Sequence, residues 1–389
     1  YVWISFFYSY LNRRGRAGFV MSSQASSAGN DEAKVRQKLV ETGDVYAMVA
    51  IRSNFFYTRT VPCELWFLDR DKPAEHRDKV LMIDARNVFR KVTRKINDFS
   101  PEQEKNLLSI VWLYREETDK FLALLADHCR RTLEEAEACF ALPVEGGPDA
   151  EPLPEFIAAM GKLSAAMEPF LKTPAAKAAL AAPMTELDAA RRELQADIEA
   201  FKTATAGQRA AWKKPPTTNA ELKKAVGRLA ALADSSRDLV HQADLFYKLA
   251  CRLIDACEKD CAAKDSEDWA GRDVNRARKA ADEARQTAVD QLKLVRYFWK
   301  HAHWLTERFP DAKLRDVAGL VKLVDRAEIA ANDWSLTPGR YVGVPPEEVD
   351  EEFDFDEAIR DIHTELADLN KEAVELAEKI QKSFEDLGI

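Results

Sequence analysis

Cysteine, glycine and proline are all scarce in this chain, and each scarcity excludes something. Six cysteines in 389 residues are too few for a disulfide scaffold, and no two stand in the C-x-x-C spacing of a zinc site. A reducing, cytoplasmic setting is the expectation. Fourteen glycines and sixteen prolines rule out collagen-like repeats and argue against an all-β protein built on glycine-rich turns. No apolar run approaches the ~20 residues that a membrane span requires, so no membrane partner is expected. What remains is a chain with 32% charged and 46% hydrophobic residues, able to build a core and biased towards helix. Its length suggests two or three structural units.

Charge is unevenly spread. Residues 1–116 carry 19 Lys and Arg against 14 Asp and Glu, residues 117–344 carry 34 against 36, and residues 345–389 carry 4 against 16. A mildly basic end therefore faces an acidic tail. The overall net charge of −9 does not by itself argue for nucleic acid. The opening YVWISFFYSY is apolar, but Arg13, Arg14 and Arg16 follow it, the reverse of the order in a signal peptide. A chain opening on Tyr1 in mid-pattern is expected to be part of something longer.

The first segment reads as α/β. Tyr1 to Asn12 is a helix stopped by Gly15, and Ala17–Met21 is a short apolar run of the buried, parallel-strand type. Asp31 is the expected N-cap of a helix that ends at Gly43. Val45–Ile51, Cys63–Leu68 and Lys79–Asp84 follow as strands, the last ones joined by short connections that call for an antiparallel edge. Ser100 before Pro101-Glu-Gln-Glu sets up a rough capping box for the next helix.

The stretches GRAGFVMSSQASSAG, KVRQKLVETGDVYAMVAI, NFFYTRTVPCELWFLDRDKP and KVLMIDARNVFR resemble the modification subunit of type I restriction-modification systems. A second block, with Asn332, Leu336, Arg340 and Tyr341, resembles the segment that follows the methyltransferase fold there. The resemblance implies an adenine-N6 DNA methyltransferase: the second half of a doubly wound methyltransferase-type sheet, which uses S-adenosylmethionine in the full-length parent. Such enzymes extrude the target adenine and hold it against aromatic rings, because its amine is unreachable inside the stack. The matching ring here is Phe56, with Phe55 as the alternative, and Arg52 and Arg59 beside them are candidates for the DNA backbone. Without the resemblance, the two phenylalanines read equally well as loop-packing aromatics.

The departures from the family pattern are large. No glycine-rich loop follows a strand, and no Asn-Pro-Pro-aromatic tetrapeptide occurs: Pro215-Pro216 follow two lysines and Pro345-Pro346 follow Gly343-Val344. In the family that tetrapeptide lies just upstream of the segment resembling Tyr1 onward. The 389 residues by themselves are thus expected to hold no catalytic residue, bind no cofactor and transfer no methyl group.

Three regions are expected: 1–116 as the carboxyl-terminal half of the methyltransferase α/β domain, 117–321 as an all-α helical insertion, and 322–389 as a tail. The insertion is alanine-rich, with breaks expected at Pro143 to Pro154, Pro169 to Pro174, Pro183 and Lys213 to Thr218, and its apolar stripes suit three or four long antiparallel helices. Its Cys251, Cys257 and Cys261, and its His301 and His303, lack metal-ligand spacing, so no metal is expected. His128-Cys129 and Cys139 adjoin no oxyanion-forming turn. Lys213-Lys214 and Arg272 to Arg278 read as solvated helix faces. In the tail, Phe355, Ile359, Ile362, Leu366, Leu369, Ala373, Leu376, Ile380 and Leu387 form a coiled-coil seam over 354–387. Its partner is either the chain's own insertion or another subunit. The resemblance implies DNA, the specificity subunit and, beyond it, the restriction subunit as partners. The rival reading is a helical interaction or scaffold protein without catalytic activity.

Overall fold

The computed structural model describes residues 1–56, 60–93, 95–144 and 148–345, together with Leu366, Ala373 and Leu376. The chain divides into two compact units, Tyr1–Gly343 and Val344–Ile389.

The first unit opens with helix α1 (Val2–Ser9), strand β1 (Arg16–Ser22), helix α2 (Asn30–Glu41) and strands β2 (Val45–Ile51), β3 (Cys63–Asp69) and β4 (Lys79–Asp84). A two-stranded ribbon, β5 (Arg90–Thr93) and β6 (Ile96–Asp98), follows. Helices α3 (Pro101–Tyr114), α4 (Thr118–Ala138), α5 (Pro152–Leu171), α6 (Pro174–Ala179), α7 (Ala181–Ala211), α8 (Asn219–Lys259) and α9 (Gly271–Arg308) come next. The chain then returns to the sheet as β7 (Val321–Asp325) and leaves it through α10 (Arg326–Ala331).

The main sheet has the order β1-β3-β2-β4-β7. Only β2 and β4 run parallel to one another as neighbours; β1 with β3, β3 with β2, and β4 with β7 are antiparallel. The run Val45-Tyr-Ala-Met-Val-Ala-Ile, apolar throughout, is covered on both faces, as a central strand of an α/β sheet must be. On one face Met48, Trp66, Leu68, Val80 and Met82 pack against Ile4, Leu39, Val40 and Leu336. On the other, Ala47, Leu81 and Ile83 join a helical core that includes Ile110, Leu113, Phe121 and Leu125.

Local signals account for the element ends. The Ser100 hydroxyl accepts from the Gln103 amide while the Gln103 side chain accepts from the Ser100 amide, a full capping box in which glutamine, not glutamate, closes the pair. Gly43 ends the turn after α2 at φ +79, and a Cβ there would lie 2.9 Å from the Arg77 carbonyl oxygen, so the position requires glycine.

Three sequence expectations need correction. The run Ala17–Met21 is not a buried strand of the parallel type: β1 pairs antiparallel with β3, and its side chains alternate between exposed and half-buried. Among the described residues β1 has a strand neighbour on one side only, so an apolar run gains no second layer there. Asp31 is not the N-cap of α2; Gly29 is, and the helix begins at Asn30 without a side-chain cap. The break expected over Pro169 to Pro174 does fall there, between the end of α5 at Leu171 and the start of α6 at Pro174. Pro183 falls within the first four residues of α7, whose amides have no intrahelical acceptor to lose.

The helical layer is organised around α9, which packs on α4, α5 and α8, while α7 packs on α8. Ion pairs cross the α8–α9 seam: Arg296 to Asp234 at 2.6 Å and Arg285 to Asp244 at 2.5 Å. In the second unit Leu366, Ala373 and Leu376 are helical. The rest of the coiled-coil seam expected over 354–387 lies outside the described residues. Among the described residues, no helix is long and apolar enough to cross a membrane.

Candidate base-handling rim of the sheet

Register brings four strand ends to one edge. Ser22 pairs with Cys63, Cys63 with Ile51, and Ala50 with Asp84, so the carboxyl ends of β1, β2 and β4 meet the start of β3. In α/β sheets this carboxyl rim is where ligands sit. The loop 52–62 leaves from it. Asn97, buried on β6, pins the loop by donating from its side-chain nitrogen to the Ser53 carbonyl at 3.1 Å and from its amide to the Asn54 carbonyl at 2.8 Å. Asn54 takes the left-handed conformation, φ +68, which asparagine tolerates better than most residues.

The two phenylalanines beyond that turn meet different surroundings. Phe55 is half-buried against Phe99, ring centroids 4.7 Å apart. Phe56 is 40% exposed. Arg52 lays its guanidinium over the Phe89 ring at 4.4 Å and is otherwise exposed, so its side chain is braced on the ribbon's approach. Arg59 lies outside the described residues.

A polar cluster on the same rim escapes sequence reading. Glu64 points to the face occupied by Trp66, is almost wholly buried, and has one carboxylate oxygen without a hydrogen-bond partner. Burial pushes its pKa up to about 7, against the pull of Ser26 and Arg86. Asp84, two strands away, is held by Arg86 through bonds of 2.5 and 2.8 Å. The segment carrying Ser335 to Tyr341 crosses this cluster: the Leu336 amide donates to the Ser26 carbonyl at 2.8 Å, and the Ser26 and Thr337 hydroxyls lie 2.6 Å apart. Gly339 permits that approach, since a Cβ there would lie 2.5 Å from the Arg86 guanidinium. Of the residues that carried the second block of resemblance, Leu336 and Tyr341 are thus buried contributors to the sheet's cover. A lone glutamate inside CELWFL was the available signal.

His128, His301, Cys129 and Cys139 sit in the helical layer instead. His128 and His301 flank Asn106, with His128 Nε2 2.9 Å from Asn106 Oδ1 and His301 Nδ1 3.2 Å from Asn106 Nδ2. Burial pushes these imidazoles down, to about 3 and about 4. Burial likewise pushes the Cys129 thiol up to about 12, and Cys139 also up, the reverse of an activated nucleophile. Among the described residues no group of three or more His, Cys, Asp or Glu is arranged to hold a metal ion.

The rim defines the class first: a mixed α/β sheet with an aromatic loop and charged side chains at its carboxyl edge. Comparison with known proteins then narrows it. Residues 1–129 match the N-6 DNA Methylase family. The methylase subunit of the type I restriction enzyme MjaIX from Methanocaldococcus jannaschii is 34% identical over 120 residues, 31% of this chain and 22% of that protein. The corresponding HindI subunit from Haemophilus influenzae is 27% identical over 103 residues, 26% of this chain and 23% of that protein. Among solved structures, the methyltransferase subunit of a type I restriction-modification system from Streptococcus thermophilus is 24% identical, with a TM-score of 0.24, covering 26% of this chain and 21% of that one. The chain spans about a fifth of the length of the curated relatives it matches. The resemblance to type I modification subunits therefore holds, over the first third of the chain.

Proposed function

We propose that this chain is the carboxyl-terminal part of a DNA adenine-N6 methyltransferase subunit of a type I restriction-modification system, and that Phe56 is the ring on which the extruded adenine stacks. The observation that carries this reading is the exposure of Phe56 on a loop pinned to the carboxyl rim by Asn97, with Phe55 packed behind it on Phe99. An exposed aromatic costs solvation, and a base offers a flat partner worth ~1–3 kcal/mol in stacking. Arg52, at the start of the same loop and stacked on Phe89, supplies a cation.

S-adenosylmethionine is the methyl donor in this reading. The residues present do not fit it: β1 runs into Ser22 to Ser26, β2 into Arg52 to Asn54 and β4 into Asp84 to Arg86, with no glycine at any of these strand ends where a nucleoside would need close backbone approach. The donor site belongs to residues outside these 389, and this chain stacks the base and holds DNA. Among the described residues β1 pairs on one side only, and α1 exposes Val2, Trp3, Phe6 and Tyr10, an apolar surface suited to a further partner. DNA and the specificity subunit are the partners, the latter through the seam of the tail.

The test is methylation by the complete modification enzyme. Phe56→Ala is expected to lower methylation of the target adenine roughly 10- to 100-fold with little change in melting temperature, following the stacking energy. Unchanged methylation would remove Phe56 from the site.

A further inference from the structure

We infer that the ribbon β5–β6 is a DNA-backbone clamp that grips the phosphates flanking the extruded base; the inference rests on the proposed function and adds a surface to it. Residues 86–95 carry Arg86, Arg90, Lys91, Arg94 and Lys95 without a single carboxylate, in a chain whose net charge is −9. All four side chains of β5 are exposed, and the strand carries Val92 at its exposed centre. Arg86 pairs with Asp84 and Arg90 with Asp98, whereas Lys91 is exposed on β5 and makes no ion pair among the described residues.

The ribbon is stiff and aimed. Arg90 makes a two-point bridge to Asp98 across the strands, Nε to Oδ1 at 2.9 Å and Nη2 to Oδ2 at 2.7 Å, which fixes the pairing of Arg90 with Asp98. Its base is anchored by Gln103, whose side-chain nitrogen donates to the Phe89 carbonyl at 2.9 Å. Its second strand holds the base-handling loop directly, through the two bonds from Asn97 to Ser53 and Asn54. Whatever the ribbon grips is therefore registered against Phe56 by a rigid connection two residues long. Arg52, stacked on Phe89, continues the cationic surface from the ribbon towards that ring.

The major groove of a duplex admits a two-stranded β-ribbon, and exposed Lys and Arg are the side chains that contact its phosphates. Phosphate contacts position a protein on DNA without reading sequence, which suits a subunit whose sequence readout lies elsewhere in the proposed assembly.

The test is binding of a fluorescein-labelled 30-base-pair DNA duplex by the 389-residue chain, followed by anisotropy from 25 to 200 mM salt. Lys91→Ala is expected to weaken binding roughly fivefold at low salt and to lower the slope of log affinity against log salt by about 0.9, the signature of one lost phosphate contact. Lys91→Glu should weaken it further and Lys91→Arg should restore it, while Lys213→Ala, on the helical layer, should change nothing. Equal affinity and slope for wild type and Lys91→Glu would overturn the inference, as would a wild-type chain that fails to bind the duplex at 25 mM salt or binds an RNA duplex of the same sequence as tightly. None of these failures touches the stacking role, which is judged separately by Phe56→Ala methylation in the complete enzyme.

Discussion

The carboxyl rim of the sheet and the helical layer behind it obey opposite rules. In the helical layer, apolar stripes are covered, charges cross the seams in pairs, and buried histidines and thiols are held neutral: His128 and His301 unprotonated, Cys129 and Cys139 as thiols. On the rim, the Phe56 ring faces solvent, Lys91 is exposed on the ribbon, and Glu64 is buried within an apolar strand with its pKa raised. The same residue types thus serve cohesion in one region and await a partner in the other. The proposed base stacking and DNA contact draw on the second set, however suggestive the histidines and cysteines of the first look in a sequence.

The contrast can be broken most forcefully in the helical layer. Phe246 is buried against Phe156, and Phe246→Ala should cost about 3–5 kcal/mol of stability, read as a lower urea midpoint, while leaving duplex binding by the ribbon unchanged. A loss of DNA binding in the folded variant would blur the division.

Next in size are two opposing pH effects. Glu64 titrates near pH 7 when folded and near 4.5 when unfolded, so its contribution is whole below pH 4.5 and is lost as pH rises to 7. Glu64→Gln should therefore gain on wild type by an amount on the order of 3 kcal/mol at pH 8 relative to pH 4.5, seen as a shift in melting temperature. His128 and His301 act in the other direction. Their folded pKa values lie below the ordinary imidazole value of 6.5, so the unfolded chain takes up protons first and stability falls as pH drops from 6.5 towards 4. The slope approaches about 1.4 kcal/mol per pH unit for each histidine, and His128→Gln should make the melting curve against pH shallower. A Glu64→Gln or His128→Gln profile that runs parallel to wild type across this range would contradict the corresponding assignment.

The smallest expected effect sharpens the comparison without altering stability. Cys251 and Cys261 are partly accessible, whereas Cys63, Cys129, Cys139 and Cys257 are buried. A thiol reagent at pH 8 should label the first pair in the native protein and the other four only after denaturation, with mass spectrometry as the readout. Rapid native labelling of Cys129 would show the helical layer to be open.

The sheet was largely legible because its central strands are unmistakable: Val45–Ile51 and Lys79–Asp84 are apolar runs between polar turns, and the structure returns them with the same ends. The ribbon was not, since Arg-Lys-Val-Thr carries no strand periodicity and exists through its cross-strand bridge and the pull of Asn97 on the loop. Nor was β7, five residues that become a strand only because β4 offers an edge after a long excursion in sequence. Phe56 stood out as a candidate through resemblance alone; composition gives no reason to prefer an exposed loop aromatic to a packed one. Glu64 stood in view as a charge within an apolar strand, yet its unsatisfied oxygen is a property of the fold around it.

The account turns on whether the loop bearing Phe56 meets an extruded base. The direct measurement is photocrosslinking of the complete modification enzyme to its own recognition duplex, with 5-iodouracil replacing the target adenine. The account predicts that the crosslink maps to the peptide spanning Arg52 to Pro62 and disappears with Phe56→Ala. A crosslink confined to peptides of the helical layer, or one unaffected by that substitution, would contradict it.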